Sequence, residues 1–214
     1  MQHAKKLWTI YHALNDHFGD LHWWPGESQI EIIIGAILTQ NTAWRNVEVA
    51  IDRLRSHRLL DQHKLLRIGD EELEALIRPS GYYRIKTQRL KNFIQFLFTY
   101  YDGRLDKLFS GDVALLRKQL LQVKGIGEET ADSIILYAGD KPIFVVDAYT
   151  RRILERHFLI DKRATYGDMQ AYFMDHLLRD IAVFKQYHAL IVNTGKHFCT
   201  KNARCETCPL QKLK

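Results

Sequence analysis

The chain reads as all-α, and three observations carry that reading. Apolar residues recur at three- and four-residue spacing over long windows. Only four prolines, at 25, 79, 142 and 209, interrupt its 214 residues. The one run rich in β-branched residues, IEIIIGAIL at 30–38, has no neighbouring segment to pair with as a strand, so it reads as a buried helix.

The other elements follow in order. Residues 42–57 put Val47, Ala50, Ile51 and Leu54 on one helical face. Pro79-Ser80-Gly81 announces a helix over 82–101, with Leu90, Phe93, Ile94, Leu97, Phe98 and Tyr101 on one side. Leu120, Leu121 and Val123 close an amphipathic segment, and Ala131, Ile134, Ile135 and Ala138 open the next. Thr165 and Asp168 have capping-box spacing for a helix to about Leu178. Residues 181–198 run without a breaker until Gly195.

The composition is 46% hydrophobic, enough for one domain or two small ones. No apolar run approaches the roughly 20 residues of a membrane span. The opening residues, MQHAKKLWTI, are too weak for a signal peptide, so a cytoplasmic, nucleoid-associated location without a membrane partner is expected. Net charge is +6 and the pI near 9.2. Such a balance favours phosphate-bearing partners, although charge alone also suits a basic enzyme with no polyanion to bind. Three cysteines, Cys199, Cys205 and Cys208, sit in one loop. That is not a disulfide framework; it reads as a metal or cluster loop, or the remnant of one.

Two features carry chemistry. In VKGIGEETA, 123–131, Gly125 and Gly127 allow positive φ between two helices. Backbone N–H groups beside a helix start form an anion site, for which a DNA backbone phosphate is the natural ligand. No strand precedes the turn and no Lys-Ser/Thr follows it, so it is not a nucleotide-binding loop. Alone, the pattern equally fits an ordinary αα turn. About twenty residues on, Asp147 is a lone acid in the apolar run IFVVDA. Locally it reads as a cap for a helix starting at Ala148.

Together these motifs resemble the helix-hairpin-helix DNA glycosylases, and the endonuclease III family in particular. The resemblance runs through AILTQNT (36–42), SGYYRIKTQRLK (80–91), Gly125-Ile126-Gly127 with Thr130-Ala131, Val145-Val146-Asp147, YHALIVNTGKHFC (187–199) and the cysteine-bearing tail. It implies a two-lobed all-α fold with a cleft between the lobes. One lobe would be a helical barrel over 22–132; the other would join 1–21 to 133–214. It implies base excision from damaged double-stranded DNA by a monomer, with Asp147 catalytic. Gln40, Lys124, Gly125, Gly127, Glu129 and Thr130 would face DNA, with Gln40 filling the stack left by an extruded base. Alone, Gln40 also reads as an amide bound to its own helix end.

Where bifunctional relatives carry a lysine that forms a Schiff base, this chain has Glu129, so base removal without strand cleavage is expected. Lys124 stands where the family has proline. Trp23, Trp24 and Pro25, together with Trp44, resemble the base pocket of the bacterial 3-methyladenine branch, although core packing also accounts for such tryptophans. An indole face would attract a cationic alkylated purine by roughly 0.5–2 kcal/mol. Two other readings remain: an endonuclease III-like enzyme for oxidised pyrimidines with lyase activity, and a DNA-binding protein without catalysis. Cys199, Cys205 and Cys208 match three of four ligands of the family's [4Fe–4S] loop, but the first spacing is one residue short and Lys214 occupies the fourth position. No cofactor is therefore expected. A zinc site completed by His197, or a metal-free loop held by Pro209, Leu210 and Leu213, are the alternatives. Arg84, Lys86, Lys91 and Lys124, with Lys196, Lys201, Arg204 and Lys212 of the tail, are the basic residues expected along the DNA backbone.

Overall fold

A computed structural model describes residues 2–21, 23–24 and 26–213. Among them the helices are α1 (Gln2–Phe18), α2 (Gln29–Leu38), α3 (Trp44–Ser56), α4 (Gln62–Arg67), α5 (Asp70–Ile77), α6 (Tyr83–Tyr101), α7 (Leu105–Ser110), α8 (Val113–Leu121), α9 (Glu128–Ser133), α10 (Ala148–Arg156), α11 (Tyr166–Met174) and α12 (Ile181–His197). No strand occurs among the described residues, as the sequence predicts. The chain divides into two compact units, Gly26–Lys141 and Met1–Pro25 with Pro142–Lys214.

In the unit Gly26–Lys141 the central element is α2. Ser28 caps it by accepting from the Glu31 amide, and Ile30, Ile33, Ile34, Ile37 and Leu38 are all buried. The β-branched run is helical because α3, α6, α9 and the segment after α9 contact it from several sides. Every face then has apolar cover, which outweighs a modest loss of helix propensity. Helix α3 turns Val47, Ala50, Ile51 and Leu54 inward, and Arg55 reaches the buried Glu31 carboxylate at 2.7 Å. It begins at Trp44, later than the pattern suggests, because Ala43 is extended, with φ −75° and ψ 142°. Gly81 and Tyr82, with φ of 68° and 47°, launch α6.

Two lysines expected along DNA are structural instead. Lys86 is 1% exposed, and its ammonium donates to the carbonyls of Leu38 (2.7 Å) and Ser80 (2.6 Å), tying α6 to the end of α2. Burial and the Arg89 charge push its pKa down to about 8. Lys91 donates to the carbonyls of Leu65 and Ile68. Arg84 stays exposed beside Glu74.

This unit runs on to Lys141. Helix α9 runs on into a π-helical segment, Ile134–Ala138, whose five residues are all buried and contact α2 and α8.

In the other unit α1 lies along α12. Leu7, Ile10 and Leu14 are buried, and the fully buried Tyr187 hydroxyl donates to the Leu7 carbonyl at 2.8 Å. The stretch 143–146 lies outside any helix and is buried. The Phe144 ring stacks on Phe173 with centroids 3.7 Å apart, while the Phe144 carbonyl accepts from Gln170. Thr165 and Asp168 form the predicted capping box of α11. That helix stops at Met174, short of Leu178, because Asp180 already caps α12 through the Val183 amide, leaving 175–179 to make the turn.

Candidate active site

The hairpin between α8 and α9 is held from within its own unit. Gly125 has φ 97°, and a Cβ there would overlap the Arg89 side chain. Gly127 differs from expectation. Its φ is −93°, and a Cβ would meet nothing within 4 Å. Its missing side chain therefore serves no demand of the chain's own fold. The Ile126 amide closes the turn on the Val123 carbonyl at 3.0 Å. Asn92 donates to the Lys124 carbonyl at 2.9 Å. The Arg117 fork grips Asp132, which is fully buried, at 2.7 and 3.1 Å, bracing α8 against α9. Arg89, Asn92, Arg117 and Asp132 were not singled out by the sequence reading; polar residues on helix faces give no local sign of a distant partner.

Gln40 also belongs to this brace. Its amide donates to the Gly125 carbonyl (3.2 Å) and the Thr130 hydroxyl (2.9 Å), and its oxygen accepts from Arg89. Thr130, expected to face DNA, is buried, and its hydroxyl is spent on Gln40. Lys124, Gly127, Glu128 and Glu129 are exposed. No side chain caps α9, so its first-turn amides carry the positive end of the helix outward.

In the other unit Asp147 caps α10. One carboxylate oxygen accepts from the Thr150 amide at 2.7 Å and the Thr150 hydroxyl at 2.8 Å. The other lies 3.6 Å from Nε2 of His188, which α12 supplies. The side chain of Asp147 is only 10% exposed. Burial raises its pKa, but the His188 imidazole and the two Thr150 donors outweigh that, and the net shift is downward. The carboxylate is thus kept ionised in a nearly dry setting, where a charge acts most strongly on its neighbours. The cap read from the sequence is present. His188 went unassigned, although it offered the same signal as Asp147: a lone titratable residue in an apolar run.

Trp23 and Trp24 belong to the unit of Asp147, and Trp44 to that of the hairpin. The Lys196 ammonium stands 5.1 Å over the Trp23 ring, so that indole face already holds a cation of its own unit. Trp24 is half-buried with φ 73°. Trp44 is half-buried at the start of α3, and its indole N–H donates to Glu48 at 2.8 Å. Pro25 lies outside the described residues.

The cysteine loop brings its three thiols to one cavity. Cys199 and Cys208 are buried and Cys205 is exposed, around a cavity of about 40 Å³ that is also lined by Arg156 and Leu210. Arg156 donates to the Cys199 sulfur at 3.2 Å, and burial raises the Cys208 thiol pKa. Such a cavity has room for about one or two waters. Among the described residues no three His, Cys, Asp or Glu side chains are grouped as ligands for one ion, and His197 is exposed away from the cavity. Lys214 lies outside the described residues.

Comparison with known proteins gives the class to which this braced glycine hairpin and buried carboxylate belong. Residues 34–177 match the model of the HhH-GPD superfamily base excision DNA repair proteins. A Methanocaldococcus jannaschii protein provisionally named a DNA repair glycosylase is 44% identical over 97% of this chain and 94% of its own length. Endonuclease III of Thermotoga maritima is 28% identical, over 84% of this chain and 79% of its own. Among solved structures, the 3-methyladenine DNA glycosylase of Helicobacter pylori, bound to 1,N6-ethenoadenine, superposes with a TM-score of 0.78. It is 24% identical, over 89% of this chain and 97% of that one. The chain belongs to the HhH-GPD superfamily and is a base-excision DNA glycosylase of that group.

Proposed function

We propose that this glycosylase is monofunctional and hydrolyses the N-glycosidic bond of alkylated purines of the 3-methyladenine type in duplex DNA. The observation that carries the catalytic half is Asp147, ionised and almost closed to water. As the bond to the base breaks, positive charge grows on the sugar; a fixed carboxylate stabilises it and orients the attacking water. Glu129 stands where an amine nucleophile would be, and a carboxylate forms no imine. Exposed Gly127 and Lys124 suit the DNA backbone, and the extruded base would stack on an aromatic side chain, for which Trp24 and Trp44 are the candidates. A base alkylated at N3 is already cationic and leaves without a strong general acid, so an aromatic slot suffices to favour it.

The test is chromatography of bases released from methylated duplex DNA, with gel analysis of the same strands. Release of 3-methyladenine without nicking is expected, as is no covalent adduct with borohydride. Release of oxidised pyrimidines with nicking and efficient trapping would instead support an endonuclease III-like activity, the reading favoured by the Thermotoga relative, and would direct attention to Lys124. Trp24→Ala or Trp44→Ala should cost about 1–3 kcal/mol in recognition of the extruded base, with binding to undamaged duplex unchanged.

A further inference from the structure

His188 is the buried titratable group to which the chemistry above gives no task. It sits mid-way along α12, 5% exposed, with Phe184, Tyr187, Leu190 and Ile191 buried around it in sequence. An imidazole is a poor filler for such a place, since its polar atoms lose water. Its Nε2 lies 3.6 Å from the second oxygen of Asp147, an ion-pair distance longer than a hydrogen bond. Thr150 accounts for the other oxygen alone. One oxygen of the carboxylate, Oδ1, is hydrogen-bonded from α10 itself, while the other, Oδ2, faces the imidazole that α12 supplies.

We propose that His188 is the positioning residue of Asp147, holding its second oxygen so that the carboxylate plane keeps the orientation in which it meets the sugar. The proposal rests on the reading of Asp147 as the catalytic carboxylate. Thr150 by itself leaves that plane free to turn about the Oδ1 contact. A donor on Oδ2 removes this freedom and opposes protonation as the site closes to water. Other charged groups nearby have separate work. On α10, Arg151 pairs with Glu155, and Arg152 donates to the carbonyls of Gly195 and Cys199. On α12 the Tyr187 hydroxyl is turned to Leu7, and from α11 the Tyr166 oxygen accepts from the Val146 amide. His188 is the ionisable side chain 3.6 Å from the second oxygen of Asp147.

The experiment uses the full chain and the damaged duplex that the wild type processes fastest. It reads single-turnover release, duplex Kd and the acid limb of the rate–pH profile for Asp147→Asn, His188→Leu, His188→Gln and His188→Asn. His188→Leu should slow release about 10- to 100-fold, the range for groups that orient a reacting ligand, with Kd within about threefold. Its acid limb should move up by about one pH unit, since burial then acts on Asp147 with less opposition. His188→Gln, which restores an N–H at similar reach, should recover most of the rate. Wild-type release in both folded variants, or equal losses of rate and affinity with an unmoved acid limb, would make His188 a packing residue and overturn the proposal. If His188→Leu does not fold, His188→Asn decides: its shorter reach should slow release with Kd kept, and wild-type release would overturn the proposal. Wild-type release by Asp147→Asn would remove the underlying reading itself, an outcome distinct from any of these.

Discussion

Two helix starts in this molecule solve the same problem in opposite ways. Helix α9 begins at Gly127 with no side chain on its exposed amides; α10 begins at Asp147 with a carboxylate folded back onto them. Both ends carry the positive pole of a helix. At α9 the pole is left for something from outside, and at α10 it is used internally to keep a buried acid charged. The surroundings follow suit. The hairpin is braced from behind by Gln40, Asn92 and Arg117 with its front exposed, whereas Asp147 is enclosed by Thr150 and His188. Charge that must be offered stays uncapped, and charge that must be held is capped and buried.

The largest test of this contrast is Asp147→Asn. Asparagine caps a helix almost as well, so the melting temperature should fall little. Base release should drop by about 100-fold or more, the scale of losing a preorganised electrostatic group. Single-turnover assays beside thermal melts read both; a large fall in stability with modest loss of rate would mean that the cap outranks the charge.

The two hairpin glycines sharpen the comparison at smaller scale. Gly125→Ala forces a side chain into left-handed backbone and against Arg89, and should cost about 1–2 kcal/mol of stability. Gly127→Ala has room and an ordinary φ, so its stability should change by less than about 0.5 kcal/mol. Its effect should appear in DNA affinity, where a methyl group would keep a phosphate from the amides. Denaturant melts and duplex Kd values separate the two; equal destabilisation would show that Gly127 too is a demand of the fold. Lys124→Glu should weaken undamaged and damaged duplexes alike and reduce the salt slope of binding by about one, as read by titration across ionic strength. A change of lesion preference with affinity intact would move Lys124 away from the backbone.

The smallest effect is on stability in acid. The folded pKa of Asp147 lies below its unfolded value near 3.9. Its contribution is therefore complete above the unfolded pKa and lost as pH falls through the folded one. Between about pH 5 and 3 the wild type should lose more melting temperature than Asp147→Asn, which has no such proton to take up. Parallel curves would show that the carboxylate is no better held in the folded chain than in the unfolded one.

Periodicity and turn chemistry, both local, were enough to read the all-α class, the faces of α3 and α6, the capping box at Thr165 and Asp168, and the hairpin at Gly125. Asp147 stood out because an acid in an apolar run has few uses. Other positions depended on neighbours distant in sequence. Lys86 and Lys91 look like surface cations until α6 is placed against the ends of α2 and α4, whose open carbonyls claim them. That Gln40 and Thr130 are hydrogen-bonded to each other became visible only once α2 met α9. Where α11 stops was set by the need to start α12 at Asp180, which the apolar pattern does not register. The pairing of His188 with Asp147 joins positions 41 residues apart, on helices brought together by the core of their unit. Sequence by itself determines which residues prefer which local shape and which are out of place. Only tertiary structure decides which out-of-place residues meet, because a buried polar group takes its meaning from the partner that replaces water.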